Sequence, residues 1–431
     1  MRRQHRAAAW LAAACLLVAA HGPAAAMSDL AERYVKLVLA VGVHDADYVD
    51  AYYGPPEWRA AAAEERRTIA DLDADAAGLL EALAARVPPP GADELEQLRH
   101  RYLTTQVESL RARLAMLGGE RFTFDAESAA LYDAVAPVHT EQEFRDVLQQ
   151  LESRLPGAGP LLGRYQAFRD RFEIPKDRLG AVFAAAIDAC RARTVERIAL
   201  PAGESFTLEY VTGKSWSGYN WYQGNYRSLI QINTDLPIYV DRAIDLACHE
   251  GYPGHHVYNV LLEQHLVRER GWQEYTVYPL FSPQSLIAEG TANYGIEVAF
   301  PDDERRRFER DVLFPAAGLD ASQVDEFYEV MALAEKLSYA GNEAARRYRN
   351  GEIDAGGAAK WHENYALMSP ERAAQRVRFI DQYGAYVINY NLGKDVVARY
   401  LERRAGADPA ARWSEFARLI SSPRLPSGLT Q

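Results

Sequence analysis

The chain carries 431 residues, with 48 Lys and Arg against 60 Asp and Glu, for a net charge of −12 at pH 7. That balance argues against nucleic acid and anionic lipid surfaces as partners. Three cysteines are too few for a disulfide scaffold in a chain of this length.

Residues 1–26 read as a secretory leader. Arg2, Arg3 and Arg6 form a basic start, residues 7–20 an apolar run too short to span a bilayer, and Ala24-Ala25-Ala26 a small-residue cleavage site. Cys15 lies inside the apolar run, with Leu16-Leu17-Val18 continuing past it, which favours a plain leader over a lipoprotein signal. Cleavage after Ala26 leaves residues 27–431, and loss of the three arginines takes the charge from −12 to −15. No later segment is apolar enough to cross a membrane, so the expected location is periplasmic or extracellular.

Helical spacing dominates from residue 28 onward. Residues 28–45, 59–86, 93–117, 140–154 and 176–199 carry Ala, Leu and Arg at three- and four-residue intervals. The break at 45–56 is dense in aromatic residues and is expected to pack against the body of the protein. Pro88-Pro89-Pro90-Gly91 marks a turn. The texture changes at 205–233, where 206–211 and 228–233 alternate like strands on either side of a Gly- and aromatic-rich loop. These two strands are expected to form a small antiparallel sheet, which either caps the helices or offers an edge for an extended peptide.

From Pro237 the helical pattern resumes over 238–266, 282–299, 303–317, 321–349, 355–364, 370–380, 385–403 and 409–420. The expected fold class is therefore mainly α with a small β-sheet. The chain shows no Ser/Gly-rich linker and no internal repeat, which predicts one helical domain over 27–431. Its N-terminal half (27–200) and second half (201–431) are expected to face each other across a cleft.

The chemistry concentrates in His249-Glu250-Gly251-Tyr252-Pro253-Gly254-His255-His256. Two neutral imidazoles can hold zinc, and a carboxylate beside the first can take a proton from water activated there. In an unbroken helix the second imidazole would come four residues after the first, but that position is Pro253. A proline there clashes with the carbonyl of His249, so the helix must bulge or break near Gly251–Gly254. Looping out two residues brings His255 to the ligand position. His256 remains a rival in direction, although seven residues of helix rise by roughly 10 Å.

Ala288-Glu289-Gly290-Thr291-Ala292-Asn293-Tyr294 offers Glu289 as a third, anionic ligand, with Asn293 one turn on to orient a ligand. Asp245, one turn before His249, has a similar claim. Cys190 and Cys248 read as buried thiols or as a bridge in an oxidising compartment. Histidines do cluster by chance. Three of the ten within eight residues, beside Pro-Gly and among apolar neighbours, are unlike a solvated surface helix.

The octapeptide matches the His-Glu-x-x-Pro-Gly-His-His signature of the bacterial family catalogued as domain of unknown function 885, a group similar to the thimet-oligopeptidase and carboxypeptidase Taq zinc peptidases. The segment from Glu289 to Tyr294 resembles that family's Glu-Gly-Trp-Ala-x-Tyr, with Thr291 in place of Trp. Ile232-Asn233-Thr234, Tyr390-Asn391-Leu392-Gly393 and, more loosely, Val49-Asp50-Ala51-Tyr52-Tyr53-Gly54-Pro55 also resemble its motifs. The resemblance implies a helical zinc-peptidase-like fold with a deep cleft, and Tyr390 as a donor to the oxyanion of a tetrahedral intermediate.

A carboxypeptidase would also need a cation for the substrate's terminal carboxylate, for which Arg376, Arg378, Lys214 and Arg227 are candidates. Trp216, Tyr219, Trp221, Tyr222 and Tyr226 could line a cleft or anchor their loop. The expectation is an exported zinc metallopeptidase acting on oligopeptides. His249, His255 and Glu289 would hold zinc, and Glu250 would be the general base. A non-catalytic zinc- or peptide-binding protein, and a zinc hydrolase of another amide or ester, are the alternatives.

Overall fold

The computed structural model describes residues 23–301 and 303–430. Residues 1–22 of the expected leader lie outside the described residues. The architecture is mainly α, with helices packed around one long buried helix, Pro283–Ala299. Its turns are buried on nearly every side, as a helix through the centre of a large core must be. Apart from Glu289, its buried polar side chains are hydrogen-bonded. Thr291 Oγ bonds back to the carbonyls of Ile287 and Ala288, and Gln284 Oε1 accepts from the Tyr102 hydroxyl at 2.6 Å.

The helix Ile388–Ala405 crosses Pro283–Ala299 at its middle. Glycine on both sides makes the crossing possible. A Cβ on Gly290 would lie 2.5 Å from the Gly393 backbone, and one on Gly393 would lie 2.8 Å from the Leu286 carbonyl oxygen. Only hydrogen-sized side chains let the two backbones approach this closely. Glu289 is thereby set against the start of the second helix.

Among the described residues five strands accompany the helices: β1 (Val49–Tyr52), β2 (Ser205–Val211), β3 (Gly218–Gly224), β4 (Arg227–Asn233) and β5 (Val277–Pro279). The two strands read from the sequence, β2 and β4, do pair, but in parallel. The antiparallel partner of β4 is β3, which lies in the stretch expected to be a loop. The β3–β4 turn is tight: Gly224, Asn225 and Tyr226 all take positive φ. The amides of Asn225 and Tyr226 donate to the buried carboxylate of Glu263. The aromatic break expected at 45–56 supplies β1, which pairs antiparallel with β5 and ties the N-terminal helices to the second half of the chain.

Most expected helices are present, with four revisions. The run 321–349 divides into two helices, Val324–Glu335 and Ala340–Arg349. The run 59–86 is two helices, Pro56–Glu65 and Ile69–Ala84, divided where Arg66 adopts a left-handed conformation and Thr68 caps the second by accepting from the Asp71 amide. Short helices at Phe124–Tyr132 and Leu161–Asp170 had no strong sequence pattern. The run 238–266 is interrupted in the middle, at the reversal that carries the candidate metal ligands. Cys190 and Cys248 are joined in a disulfide with Cα atoms 5.7 Å apart, so the buried-thiol reading gives way to the bridge. Among the described residues no helix is long and apolar enough to cross a membrane.

Candidate metal centre in the cleft

A cleft of about 810 Å³ opens beside the buried helix. The sequence suggested two halves facing across it. Instead, among the described residues, its walls come almost wholly from residues 215–394, and the N-terminal half contributes Asp50 alone.

The expected metal helix breaks where the proline argument placed it. Val240–Leu246 runs into a wider π-helical turn, Ala247–Gly251, which ends at a cis Tyr252–Pro253 bond. A new helix, His255–Leu262, then begins. Gly254 makes the reversal possible, because a Cβ there would sit 1.9 Å from the carbonyl oxygen of His249. The reversal returns His255 to His249. Their Nε2 atoms face one another at 3.1 Å.

Glu289 completes the group. Its Oε2 lies 3.3 Å from His249 Nε2 and 3.7 Å from His255 Nε2. That oxygen is buried and makes no hydrogen bond of good geometry. A tetrahedral zinc ion, with ligand bonds of about 2.0–2.2 Å, sets its ligand atoms roughly 3.3–3.6 Å apart. The three separations cluster around that edge length, and two imidazoles with one orphaned carboxylate oxygen are a suitable donor set. The residues fit a bound divalent metal.

Neighbours hold each candidate ligand in place. Asn293 Oδ1 lies 3.1 Å from His249 Nδ1, and the Asn293 amide donates to the Tyr390 carbonyl at 3.2 Å. The acceptor at Nδ1 leaves the Nε2 lone pair of His249 facing the cluster. The second oxygen of Glu289 accepts a 2.7 Å hydrogen bond from Tyr386. Burial works against ionisation of Glu289, but the two imidazoles outweigh it and hold the carboxyl far below its usual range. Burial also opposes charge on His255, yet Glu289, Glu250 and Asp50 outweigh it and raise its pKa to about 9.

Glu250 Oε1 is 3.9 Å from His249 Nε2, on the flank of the group. It is 3% exposed, and burial raises its pKa, as suits a base working near neutrality. Strand β3 closes over it. A Cβ on Gly218 would meet Glu250 Oε1 at 2.7 Å, and Asn220 donates to the Glu250 carbonyl at 2.7 Å. Asp50, carried by β1, accepts from the Tyr219 hydroxyl, and burial pushes its pKa up to about 7.

Other expected residues have different duties. His256 is fully buried between Ser228 Oγ and Glu204 Oε2, each 2.9 Å away, and does not reach the cluster. Asp245 pairs with Arg242 and Arg305 rather than orienting His249. Of the cations named from sequence, Arg376 lines the cleft, whereas Lys214, Arg227 and Arg378 are exposed elsewhere. Trp216 and Tyr219 line it too, Trp221 stacks on Tyr219 from outside, and Tyr222 and Tyr226 anchor the hairpin.

Tyr390 borders the cleft, its ring 5.8 Å from that of Tyr386. Its hydroxyl takes no hydrogen bond among the described residues. Tyr386, Asp50 and Gly218 were not singled out as site residues from sequence. Tyr386 falls one helical turn before the Tyr-x-x-Gly segment, which is the one signal that could have found it.

No family model matches the chain, and no curated protein does. The chain is similar to solved structures at low identity. A Pyrococcus furiosus carboxypeptidase shares 12% identity at a TM-score of 0.48, over 93% of this chain and 89% of that one. A candidate lipoprotein from Colwellia psychrerythraea shares 14% at a TM-score of 0.48, over 82% and 69%. An M32 carboxypeptidase from Deinococcus radiodurans shares 13% at a TM-score of 0.36, over 92% and 88%. At these values the likeness assigns neither family nor activity, and the functional argument rests on the site itself.

Proposed function

We propose that the protein is an exported zinc-dependent metallopeptidase that cleaves oligopeptides in this cleft. The observation that carries the reading is the convergence of His249, His255 and Glu289, whose ligand atoms all lie within 4.8 Å of one another, beside the buried base Glu250. Zinc bound by these three would act as a Lewis acid on a carbonyl and lower the pKa of water towards about 7.

The side chains of the chain do the rest. Glu250 takes a proton from the attacking water and hands it to the leaving amine. Tyr390, whose pKa burial and Glu289 raise well above the usual value, keeps its proton and donates to the developing oxyanion. Asn293 and Tyr386 fix the ligands. Strand β3 is an edge of its sheet and borders the cleft, so an extended peptide can lie along it by backbone pairing. The Cys190–Cys248 bridge suits an oxidising compartment and agrees with the leader read from residues 1–26.

Metal content of the purified mature chain tests the site. About one zinc per chain is expected, lost in both His249→Ala and Glu289→Ala. Glu250→Gln should keep the metal and lose at least about a hundredfold in peptide hydrolysis, the scale of a positioned general base. Bound metal with full turnover in Glu250→Gln would refute the assigned base. No metal, even after zinc is supplied, would refute the peptidase. Bound metal with no hydrolysis across a peptide panel would favour a non-catalytic binding protein, and turnover of esters or other amides alone would favour a different hydrolase.

A further inference from the structure

Among the described residues five Lys and Arg side chains line the cleft, and they divide into two kinds. Arg242 pairs with Asp245 at 3.2 Å. Arg305 pairs with Asp245 and Glu309, both at 2.9 Å, and Lys394 with Glu335 and Glu297 at 3.0 and 3.1 Å. Arg372 and Arg376 form no ion pair among the described residues. They lie four apart on the helix Pro370–Tyr383, on one face, where like charges weaken a helix rather than support it.

Arg372 spends one nitrogen on the Pro237 carbonyl at 3.0 Å. Arg376 makes no hydrogen bond among the described residues and lies over two rings, Phe379 at 4.8 Å and Tyr390 at 5.7 Å. Tyr390 packs on Tyr386, which holds Glu289, so the arginine is two aromatic contacts from the metal cluster. Burial works against the charge on both guanidiniums, with no carboxylate bonded to either to offset it. Carboxylates of the cleft wall hold three of its cations, whereas these two adjacent guanidiniums keep N–H groups that no carboxylate among the described residues takes up.

Resting on the peptide-cleft reading above, we propose that Arg372 and Arg376 receive a carboxylate of the peptide substrate. Planar forks with unused N–H groups match the two oxygens of such a group. A peptide can bring that carboxylate as its C-terminus or as an acidic side chain. The first source would make the enzyme a carboxypeptidase, the second an endopeptidase that prefers acidic residues.

Equilibrium binding to the zinc-loaded Glu250→Gln protein separates the sources without turnover. One pair of N-blocked tripeptides differs in having a free C-terminus or an amide. A second pair, both amides, carries Glu or Gln as the last residue. The free acid is expected to bind at least about tenfold tighter than its amide, as charge-assisted bonds to guanidinium allow. That preference should fall to within about twofold on adding Arg376→Gln or Arg372→Gln, and Arg376→Lys should keep part of it.

A Glu preference lost in the same variants would support the proposal with a side-chain source. No carboxylate preference in either pair, or one that survives both Gln substitutions in proteins whose melting is unchanged, would overturn it. A clear preference without hydrolysis by the wild-type protein would refute the peptidase and leave the carboxylate site standing. Hydrolysis without preference would do the reverse.

Discussion

Tyr386 shows how much a single hydroxyl can carry. Glu289 presents one oxygen to the two histidines and accepts from Tyr386 with the other, so the hydrogen bond decides which way the carboxylate faces. Burial and the adjacent Glu289 keep the phenol protonated far above its usual range, so it remains a donor. Phe at this position should leave the packing intact and free the carboxylate to rotate. The expected result for Tyr386→Phe is metal affinity weakened by about 10- to 100-fold, the usual cost of removing a ligand's supporting partner. Competition with a chelator of known affinity measures it, and unchanged affinity would remove Tyr386 from the site. At this scale the sequence was only partly legible. The three ligand candidates and the candidate base stand in short, specific motifs, whereas Tyr386 lies one turn outside the weaker Tyr390–Gly393 segment and Asp50 within the loosely matching Val49–Pro55, where nothing marks either as a neighbour of the ligands. His255 could be preferred over His256 from the position of Pro253, but only the reversal at Gly254 separates them.

At the scale of elements, the crossing of Pro283–Ala299 and Ile388–Ala405 sets the position of Glu289. Gly290→Ala places a methyl group 2.5 Å from the Gly393 backbone, where no flexible side chain can yield. The helices must separate or shift, at a cost of about 1–3 kcal/mol or somewhat more. Because Glu289 is the adjacent residue, metal affinity should fall together with stability. Thermal melting and metal titration of Gly290→Ala check the pair of effects, and a wild-type melting temperature would disprove the close crossing. Gly54→Ala would share the steric fault, with Thr276 Oγ1 and the Tyr52 ring 2.8 Å from its Cβ, but away from the ligands. Helices were the legible elements, since their apolar spacing spans several turns. Strand β3 was not, because Gly218-Tyr219-Asn220-Trp221-Tyr222 does not alternate in polarity and its register is set by β4. The parallel pairing of β2 with β4 follows from inserting β3 on the far side of β4, a choice made by tertiary packing rather than by either strand.

For the molecule as a whole, the Cys190–Cys248 bridge joins the helix Leu179–Val195 to the turn that carries His249. A chain cleaved at the proposed leader, and so without Cys15, should contain no free thiol when denatured without reductant and two after reduction. Reduction is expected to cost about 2–4 kcal/mol of stability for a loop of this size, read as a drop in melting temperature. Thiol titration decides the first point, and two free thiols in the native, unreduced protein would refute the bridge and weaken the case for export. The mainly α architecture was legible from the sequence. The placement of the cleft within residues 215–394 was not, since no local pattern says which helices will face one another.

The β1–β5 pairing has a consequence for how the chain reaches this state. Tyr53, just past β1, donates to the Tyr275 carbonyl at 2.8 Å across a sequence separation of 222. A ribosome or translocon delivers β1 early and β5 only after more than half the chain has emerged. Until then β1 has no partner, and Asp50 cannot be held against the cluster. The helices of the N-terminal half can form locally in that interval, whereas the cleft is assembled late, by contacts of long loop closure. The cleft is therefore complete only in a nearly finished fold, and a nascent fragment that stops short of Val277 lacks the strand that pairs with β1.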